Sequence, residues 1–179
     1  MNENKGLLEG IVVLDLTRVL AGPYCGTLIA DMGATVIKVE NPIGGDDSRS
    51  MGPFINGNSV YYANFNRSKL GCTLNLKTSE GKEIFKELVK KADIIIENYR
   101  PGTMEKLGLG YDELKKENPA IIYGAVSGFG HTGPLSKRAG YDIIGQAMGG
   151  LMSTTGWPGG PATRSGTPLG DVLGGLNLA

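Results

Sequence analysis

The amino-acid sequence predicts an α/β fold, a Rossmann-like and mainly parallel sheet with flanking helices. Three observations carry this prediction. Short apolar runs rich in β-branched residues recur along the chain, for example at 11–14 and 94–96, as expected of strands buried on both faces. Segments with helical periodicity separate these runs, and proline or glycine stands near many of the boundaries. Strands that alternate with helices in this way form parallel sheets through right-handed crossovers.

A βαβ unit comes first along the chain. The run 11–14 is the first predicted strand, and residues 35–40 are the second. Between them we expect a helix that has Pro23 as its first residue and Gly33 just after its last turn. The next segment, 41–66, is rich in Pro, Gly, Asn, Asp and Ser and shows little periodicity, so it is predicted to be a long loop.

The rest of the chain continues the alternation. A strand is predicted at 73–76, followed by a helix that Thr78 or Ser79 caps. The apolar face of that helix consists of residues at i, i+4 spacing, namely Ile84, Phe85, Leu88 and Val89. Further strands are predicted at 94–96 and 121–126. Further helices are predicted from Pro101 to near Gly108, from a cap at Asp112 through Glu117, around 143–148, and from about Leu169 onward.

Composition argues against several classes of function. Lys and Arg total 18, and Asp and Glu also total 18, so a nucleic-acid binder that depends on bulk positive charge is not expected. No apolar run approaches the ~20 residues of a membrane span, and the first residues do not resemble a signal peptide. A single histidine and two distant cysteines provide no metal-ligand spacing, so no metal is expected. Cys25 and Cys72 cannot build a disulfide framework, which fits a cytoplasmic protein.

Ligands of such sheets bind beyond the carboxyl ends of the strands. Those segments are 17–22, 40–47, 97–102 and 127–134, and several of them are rich in Gly, Asn and Arg. Neither a Gly-x-Gly-x-x-Gly nor a Walker motif is present, so the usual dinucleotide and P-loop hypotheses fail. The stretch Leu20-Ala21-Gly22-Pro23 places small residues before a helix N-terminus, where amides can accept a phosphate or a thioester oxygen. A tight βα turn would explain the same residues equally well.

Asp171 is the carboxylate with the most distinctive neighbours. It stands near the start of an apolar helix, after Gly170 and shortly before Gly174-Gly175. The helix dipole and free amides of the first turn are expected to keep it ionised, and the glycines leave space for a bulky ligand. This combination suits a carboxylate nucleophile that forms an acyl intermediate, with a plain N-cap aspartate as the alternative. Serine or cysteine chemistry would depend on His131, and no Gly-x-Ser-x-Gly elbow is present.

Several short motifs, taken in their order and spacing, resemble the N-terminal portion of the class III coenzyme A transferases of the CaiB/BaiF type. This is the family of formyl-CoA:oxalate and carnitine CoA-transferases. The resemblance runs along almost the whole chain. The motifs that carry it are residues 10–15 with 21–23, 28–34 with 36–40, Gly45-Asp46, 66–69, 74–77, 97–102, 127–130, 140–142 and 170–171.

The resemblance implies an enzyme that moves CoA from an acyl-CoA donor to a carboxylic acid. An aspartate at the position of Asp171 would attack the thioester and pass through aspartyl anhydride and aspartyl-CoA intermediates. No permanently bound cofactor is implied; acyl-CoA and a carboxylic acid are the partners, with an interlocked homodimer in the complete protein. The family's CoA contacts would fall on Val19, Leu20, Ala21, Asn41, Leu74, Asn75, Leu76, Lys77, Asn98, Tyr99, Arg100, Lys106, Tyr141 and Asp142.

Two departures from the family pattern bear on substrate binding. Leu20 stands where the formyl-CoA transferase has a glutamine near the acyl group, which favours a larger or less polar acyl chain. Asn41 replaces an arginine, which removes one expected phosphate contact.

Two alternatives to a transferase stay open at this point. The related α-methylacyl-CoA racemases have Gly-His-Asp where this chain has Gly140-Tyr141-Asp142, and a phenol is a poor base at neutral pH. The other alternative is a non-catalytic CoA-binding fragment. The last residues are typical of the opening turns of an apolar helix, so we expect 1–179 to be the N-terminal CoA-binding domain of a longer polypeptide.

Overall fold

The computed structural model describes residues 6–179 of the chain. Within this part, five strands form one parallel sheet and two more form a short antiparallel hairpin. The strands are β1 (Val12–Asp15), β2 (Thr35–Glu40), β3 (Phe54–Ile55), β4 (Asn58–Ser59), β5 (Leu70–Thr73), β6 (Ile94–Glu97) and β7 (Ile122–Ala125).

The strands of the main sheet are hydrogen-bonded in the order β5-β2-β1-β6-β7, and every neighbouring pair is parallel. Counted by their appearance in the chain, they lie in the order 3-2-1-4-5, which is that of a Rossmann sheet. The predicted α/β class is therefore confirmed. The direction of winding reverses between β1 and β6, and this reversal opens a crevice at the carboxyl ends of those two strands.

Helices cover both faces of the sheet. Among residues 6–179, no helix is both long and apolar enough to cross a membrane. Short 3₁₀ helices span Asp47–Ser50 and Leu151–Thr154. The α-helices are α1 (Ala21–Asp31), α2 (Val60–Asn66), α3 (Ser79–Val89), α4 (Thr103–Leu107), α5 (Tyr111–Glu117), α6 (Asp142–Met148) and α7 (Leu169–Leu178).

Alternation along the central strands separates two apolar clusters. Val13 of β1 belongs to the cluster that packs under α1, whereas its neighbour Leu14 belongs to the cluster under α3, α4 and α5. Phe85 and Val89 of α3 are buried in the second cluster, as their spacing predicts. Ile84 was predicted on the same face, but its side chain is 52% exposed, so the apolar face is narrower than expected.

The first helix differs from its prediction at one end only. Helix α1 begins at Ala21, so Pro23 is its third residue and not its first. Proline is tolerated there because the first four amides of a helix have no partner within it. At the other end Gly33 follows the C-cap Met32 with a φ of +104°, which confirms its predicted position after the last turn.

The prediction of a long loop over 41–66 is wrong. This segment contains the 3₁₀ helix at 47–50, the β3–β4 hairpin and helix α2. Asn56 and Gly57 turn the hairpin with φ values of +50° and +78°, the conformation that two-residue hairpins need. Ser59 caps α2 by accepting a hydrogen bond from the Tyr62 amide. Each of these elements is too short to show periodicity in the sequence.

The strand predicted at 73–76 lies earlier, because β5 ends at Thr73. Residues 74–77 form a turn in which the Asn75 side chain accepts from the Lys77 amide. Thr78 caps α3 by accepting from the Gly81 amide, as predicted.

Two short helices also differ from prediction: α4 begins later and α5 earlier along the chain. Helix α4 begins at Thr103 because Gly102 adopts a left-handed conformation, so Pro101 lies outside the helix. Helix α5 has Gly110 as its N-cap, and Asp112 lies in its first turn and does not cap it. An acidic residue in the first turn is still favoured by the helix dipole.

Candidate active site

Two adjoining cavities lie at the carboxyl edge of the sheet. The first, which we call the β2 cavity, has a volume of about 400 Å³. The second, the α7 cavity, has a volume of about 290 Å³. Arg18, Asp47 and Tyr99 line both cavities, so the two form one groove that passes over the crevice between β1 and β6.

Residues that follow β2 and β5, together with α4, form most of the β2 cavity. Its lining includes Val39, Glu40, Asn41, Ile43, Gly44, Gly45, Asp46, Leu74, Asn75, Leu76, Lys77, Thr103 and Leu107. The α7 cavity is formed by the β1–α1 loop, the ends of β6 and β7, and helices α6 and α7. Its lining includes Val19, Leu20, Ala21, Asn98, Arg100, Pro101, Val126, Ser127, Gly128, Arg138, Ala139, Gly140, Tyr141, Asp142, Gly145, Gly170, Asp171 and Gly174.

These linings bring together all the CoA-contacting positions that the resemblance implied, except one. Asn41, residues 74–77 and Tyr99 line the β2 cavity. Residues 19–21, 98–100 and 141–142 line the α7 cavity together with Asp171. Lys106 lines neither cavity: it is an exposed residue of α4, whose Thr103 and Leu107 do line the β2 cavity.

A reciprocal pair of hydrogen bonds ties the loops after β1 and β6 together across the crevice. The Arg18 amide donates to Asn98 Oδ1 at 2.7 Å, and Asn98 Nδ2 donates to the Arg18 carbonyl oxygen at 2.7 Å. The Arg18 guanidinium forms a half-exposed ion pair with Asp47 at 3.2 Å and lies 5.3 Å from the Tyr99 ring centroid. Such an exposed pair contributes only about 0–1 kcal/mol to stability.

Asp171 lies in the first turn of α7, on the wall of the α7 cavity. Burial, and secondarily the negative charge of Asp142, raises the pKa of its carboxyl group above the ordinary aspartate value. The first-turn amides, which were expected to stabilise the ionised form of Asp171, therefore do not offset this rise. The Gly170 amide donates instead to Asp142 Oδ1 at 2.8 Å, and within residues 6–179 the Asp171 carboxylate accepts no hydrogen bond.

Of the two carboxylates, Asp142 makes more hydrogen bonds and ionic contacts than Asp171. Gln146 Nε2 donates to its Oδ2 at 2.8 Å, one turn along α6, and Gln146 is itself 1% exposed. Arg164 Nε lies 3.6 Å from the same oxygen. Asp142, held by these contacts, therefore lies close to the Asp171 carboxylate, which is half-buried and accepts no hydrogen bond within residues 6–179.

Glycines allow α7 to approach its neighbours closely. A Cβ on Gly170 would lie 2.9 Å from the Asp142 carbonyl oxygen, and a Cβ on Gly175 would clash with the Ala21 carbonyl oxygen of α1. Either substitution would require α7, and with it Asp171, to shift.

Sequence reasoning gave no functional role to several polar groups near the groove. Glu97, at the end of β6, is 1% exposed, and burial raises the pKa of its carboxyl group to about 7. His131 Nε2 lies 3.6 Å from Glu97 Oε1. Ser127 Oγ is buried in the described chain without a hydrogen-bond partner. The buried lysines Lys38 and Lys69 were also given no functional role. Lys38 could have been noticed in the sequence, because a lysine is unusual inside an apolar strand such as β2.

No group of three or more His, Cys, Asp and Glu side chains that could hold a metal ion occurs within residues 6–179.

A family model described as CoA-transferase family III matches residues 8–179. The chain belongs to CoA-transferase family III. The family resemblance inferred from the motifs is thereby confirmed. The match covers the β1–α1 loop, both cavities and the first turn of α7, so every part of the groove lies within the family region.

Relatives of this family III chain include named transferases and a solved structure. An acetyl-CoA:oxalate CoA-transferase of Acetobacter aceti is 50% identical over 173 residues, 96% of this chain and 44% of the relative. A succinyl-CoA:glutarate CoA-transferase of Mus musculus is 49% identical over 170 residues, 94% of this chain and 39% of the relative. The crystal structure of a CAIB/BAIF family protein from Brucella suis has a TM-score of 0.92 and 43% identity, covering 98% of this chain and 47% of that one. The chain thus spans less than half the length of these three proteins.

Proposed function

We propose that this chain forms the CoA-binding and nucleophilic part of an enzyme that moves CoA from an acyl-CoA donor to a carboxylic acid. One observation carries the proposal: Asp171, half-buried and without a hydrogen bond from any residue of 6–179, lines the same cavity as the loop residues 19–21 and 98–100. Membership of CoA-transferase family III and the names of the relatives support it.

The proposed reaction begins when an Asp171 carboxylate oxygen attacks the thioester carbonyl carbon. The carbon–sulfur bond breaks, the CoA thiolate leaves and a mixed anhydride remains on the aspartate. The thiolate then attacks the aspartyl carbonyl, which releases the donor acid as a carboxylate and leaves an aspartyl-CoA thioester. The acceptor carboxylate displaces the thiolate again to form a second anhydride. The thiolate finally attacks the acyl carbonyl, which yields the new acyl-CoA and restores the Asp171 carboxylate.

The state of Asp171 suits this chemistry. A carboxylate that is partly shielded from water and accepts no hydrogen bond is a stronger nucleophile than a fully solvated one. No proton has to move in any of the steps, so the mechanism requires no general base. Developing negative charge on the attacked carbonyl would instead be stabilised by amides or side chains at the cavity wall.

CoA is long enough to need both cavities. We propose that its nucleotide occupies the β2 cavity, near Asn41 and Lys77, and that its thioester end reaches the α7 cavity beside Asp171. Lys77 and Arg100 are the cations proposed for the phosphate groups. The relatives' names refer to oxalate and glutarate, which supports a small dicarboxylic acid as a substrate here and argues against the larger or less polar acyl chain that Leu20 suggested.

We also propose three broader properties. Residues 1–179 act as the N-terminal CoA-binding portion of a longer polypeptide, a proposal supported by the share of its relatives' length that the chain spans. The complete protein forms an interlocked homodimer, as the family resemblance implies. It works in the cytoplasm, which the free thiols of Cys25 and Cys72 support.

The test compares Asp171→Ala with the wild type in the natural protein that carries this sequence. A panel of acyl-CoA donors is offered with a panel of carboxylic acids, and CoA binding is measured by calorimetry. Loss of the nucleophile should lower transfer by at least about a thousandfold while the CoA Kd stays within about threefold. Asp31→Asn, which breaks a surface ion pair with Arg67, is the matched control and should transfer normally.

Two results would contradict the proposal. Transfer that persists in Asp171→Ala would exclude the aspartyl route. Deuterium uptake at the acyl α-carbon without any CoA transfer would indicate a racemase, although the racemase histidine position is occupied here by Tyr141, whose side chain is exposed.

A further inference from the structure

The β1–α1 loop adopts a backbone conformation that its sequence does not favour. Val19 has a φ of +67°, in the left-handed region that β-branched residues rarely enter. The residue lies between Arg18 and Leu20, and all three line the α7 cavity beside Asp171. Strained backbone of this kind persists only where the surrounding structure enforces it, and such strain concentrates at functional sites.

The buried ion pair between Lys38 and Asp46 holds the backbone of this loop through hydrogen bonds. Lys38 Nζ donates to Asp46 Oδ2 at 2.8 Å and to the Thr17 carbonyl oxygen at 2.5 Å. The other oxygen of Asp46 accepts from the Val19 amide at 3.1 Å and from the Ser48 amide at 2.9 Å. The side chains of the pair are 2% and 0% exposed. The pair therefore contacts the backbone on both sides of Arg18, at Thr17 and at Val19.

A second buried pair holds the start of the same loop. Asp15 Oδ1 accepts from the Thr17 amide at 2.8 Å, and Lys69 Nζ donates to Asp15 Oδ2 at 2.8 Å. The same ammonium group donates to the Pro23 carbonyl oxygen in α1. With Thr17 fixed at this end and the Arg18 backbone bonded to Asn98, the contact that holds the Val19 amide is the one from Asp46.

Stability alone is a poor explanation for this arrangement. Removing two charges from water costs more than their attraction commonly returns, so an apolar pair of similar volume would often stabilise the fold as well or better. What an apolar pair cannot supply is an acceptor for the Val19 amide or a donor for the Thr17 carbonyl oxygen. Those two contacts both act on the wall of the groove.

We infer that Asp46, through its buried pair with Lys38, is a positioning residue for CoA transfer. It holds the backbone of residues 17–19 so that the β1–α1 loop meets the thioester end of CoA at Asp171. This inference rests on the proposed function. Asp46 acts through the loop, because its carboxylate oxygens are occupied by Lys38, Val19 and Ser48.

Asp46→Asn in the natural protein tests the inference. A carboxamide has one acceptor oxygen, whereas Asp46 faces the Lys38 ammonium on one side and the Val19 and Ser48 amides on the other. Either orientation of the asparagine therefore sets a donor against a donor. We expect kcat per folded molecule to fall about tenfold or more, with the CoA Kd changed by less than about threefold. Asp31→Asn is the control and should leave both quantities unchanged.

Val19→Gly supplies the second arm. Glycine enters the left-handed region as readily as the right-handed one, so the loop should then depend much less on Asp46. The factor by which Asp46→Asn lowers kcat should be clearly smaller in the Val19→Gly protein than in the wild type. Equal factors in the two backgrounds, or an unchanged kcat per folded molecule in Asp46→Asn, would overturn the inference.

Hydrogen exchange separates failure of this inference from failure of the proposed function. In Asp46→Asn the peptide covering residues 16–22 should exchange faster, while peptides from β1 and β6 should not. A wild-type protein without CoA transfer would refute the proposed function whatever the exchange shows. A transferring wild type whose 16–22 exchange is unaltered by Asp46→Asn would refute the positioning role alone.

Discussion

Glutamine in place of Glu97 should change how the stability of the protein depends on pH. Glu97 ends β6 with its side chain buried, and it accepts a hydrogen bond from the Tyr99 amide at 2.7 Å. Burial raises the pKa of this carboxyl group from 4.5 to about 7, and the charge of Glu105 adds to the rise. The hydrogen bonds from Tyr99 and Tyr123 lower the pKa but do not offset the effect of burial.

The sign and size of the effect follow from linkage. Because the pKa of Glu97 is higher in the folded protein, the folded state binds more protons than the unfolded state between pH 4.5 and about 7. The free energy of unfolding contributed by this group therefore falls as the pH rises through that interval and is constant above it. At about 1.36 kcal/mol per pKa unit, the interval corresponds to about 3 kcal/mol.

Urea unfolding followed by circular dichroism at a series of pH values measures this effect. The stability of Glu97→Gln relative to the wild type should rise by about 3 kcal/mol between pH 4.5 and pH 7.5. Glu83→Gln is the control, because Glu83 is an exposed residue paired with Lys86 on the surface of α3. Parallel curves for the wild type and Glu97→Gln would refute the argument that burial holds this carboxyl neutral.

Three further predictions concern α7, the carboxylate pair and the cysteines. Gly175→Ala should destabilise the protein by about 1–3 kcal/mol in urea unfolding because its Cβ meets α1, whereas Gly174→Ala places a Cβ 3.5 Å from its nearest neighbour and should cost less; equal losses would contradict this packing. Asp142→Asn should move the acid limb of the pH–rate profile to lower pH, since removing that charge lowers the pKa of the nucleophile; a limb that stays in place would show that the charge does not act on it. A thiol reagent should label Cys72 and spare Cys25 in the native protein, as mapped by mass spectrometry, because Cys25 is buried and burial raises its thiol pKa to about 12; labelling of Cys25 at the same rate would contradict its burial.

The central elements of the fold were predictable because each carries a periodic apolar pattern. The runs at 11–14 and 94–96 pack on both faces of the sheet, and Phe85 and Val89 lie at helical spacing. The residue types of these segments therefore predict their burial. The segment 41–66 was not predictable in the same way. Its hairpin has strands of two residues, and α2 has no buried residue, so neither element shows a periodic apolar pattern in the sequence.

The candidate site was predictable in part for a different reason. Positions such as Asn98 and Asp171 occur in short motifs with a distinctive order, and the structure places them on one cavity wall. The partner of the Gly170 amide could not be predicted, because it depends on how α6 packs against α7 over a distance of 28 residues. The positive φ of Val19 could not be predicted either, since nothing local favours it in valine; the carboxylate that its amide contacts, Asp46, lies 27 residues away.

Trapping during turnover is the most direct test of the central claim that Asp171 carries the acyl group. Hydroxylamine added to the natural protein with an acyl-CoA should intercept the anhydride or thioester and convert the Asp171 carboxyl to a hydroxamate, which peptide mass spectrometry locates. The account predicts modification at Asp171 that requires acyl-CoA and stops transfer. An actively transferring enzyme whose Asp171 stays unmodified under these conditions would contradict it.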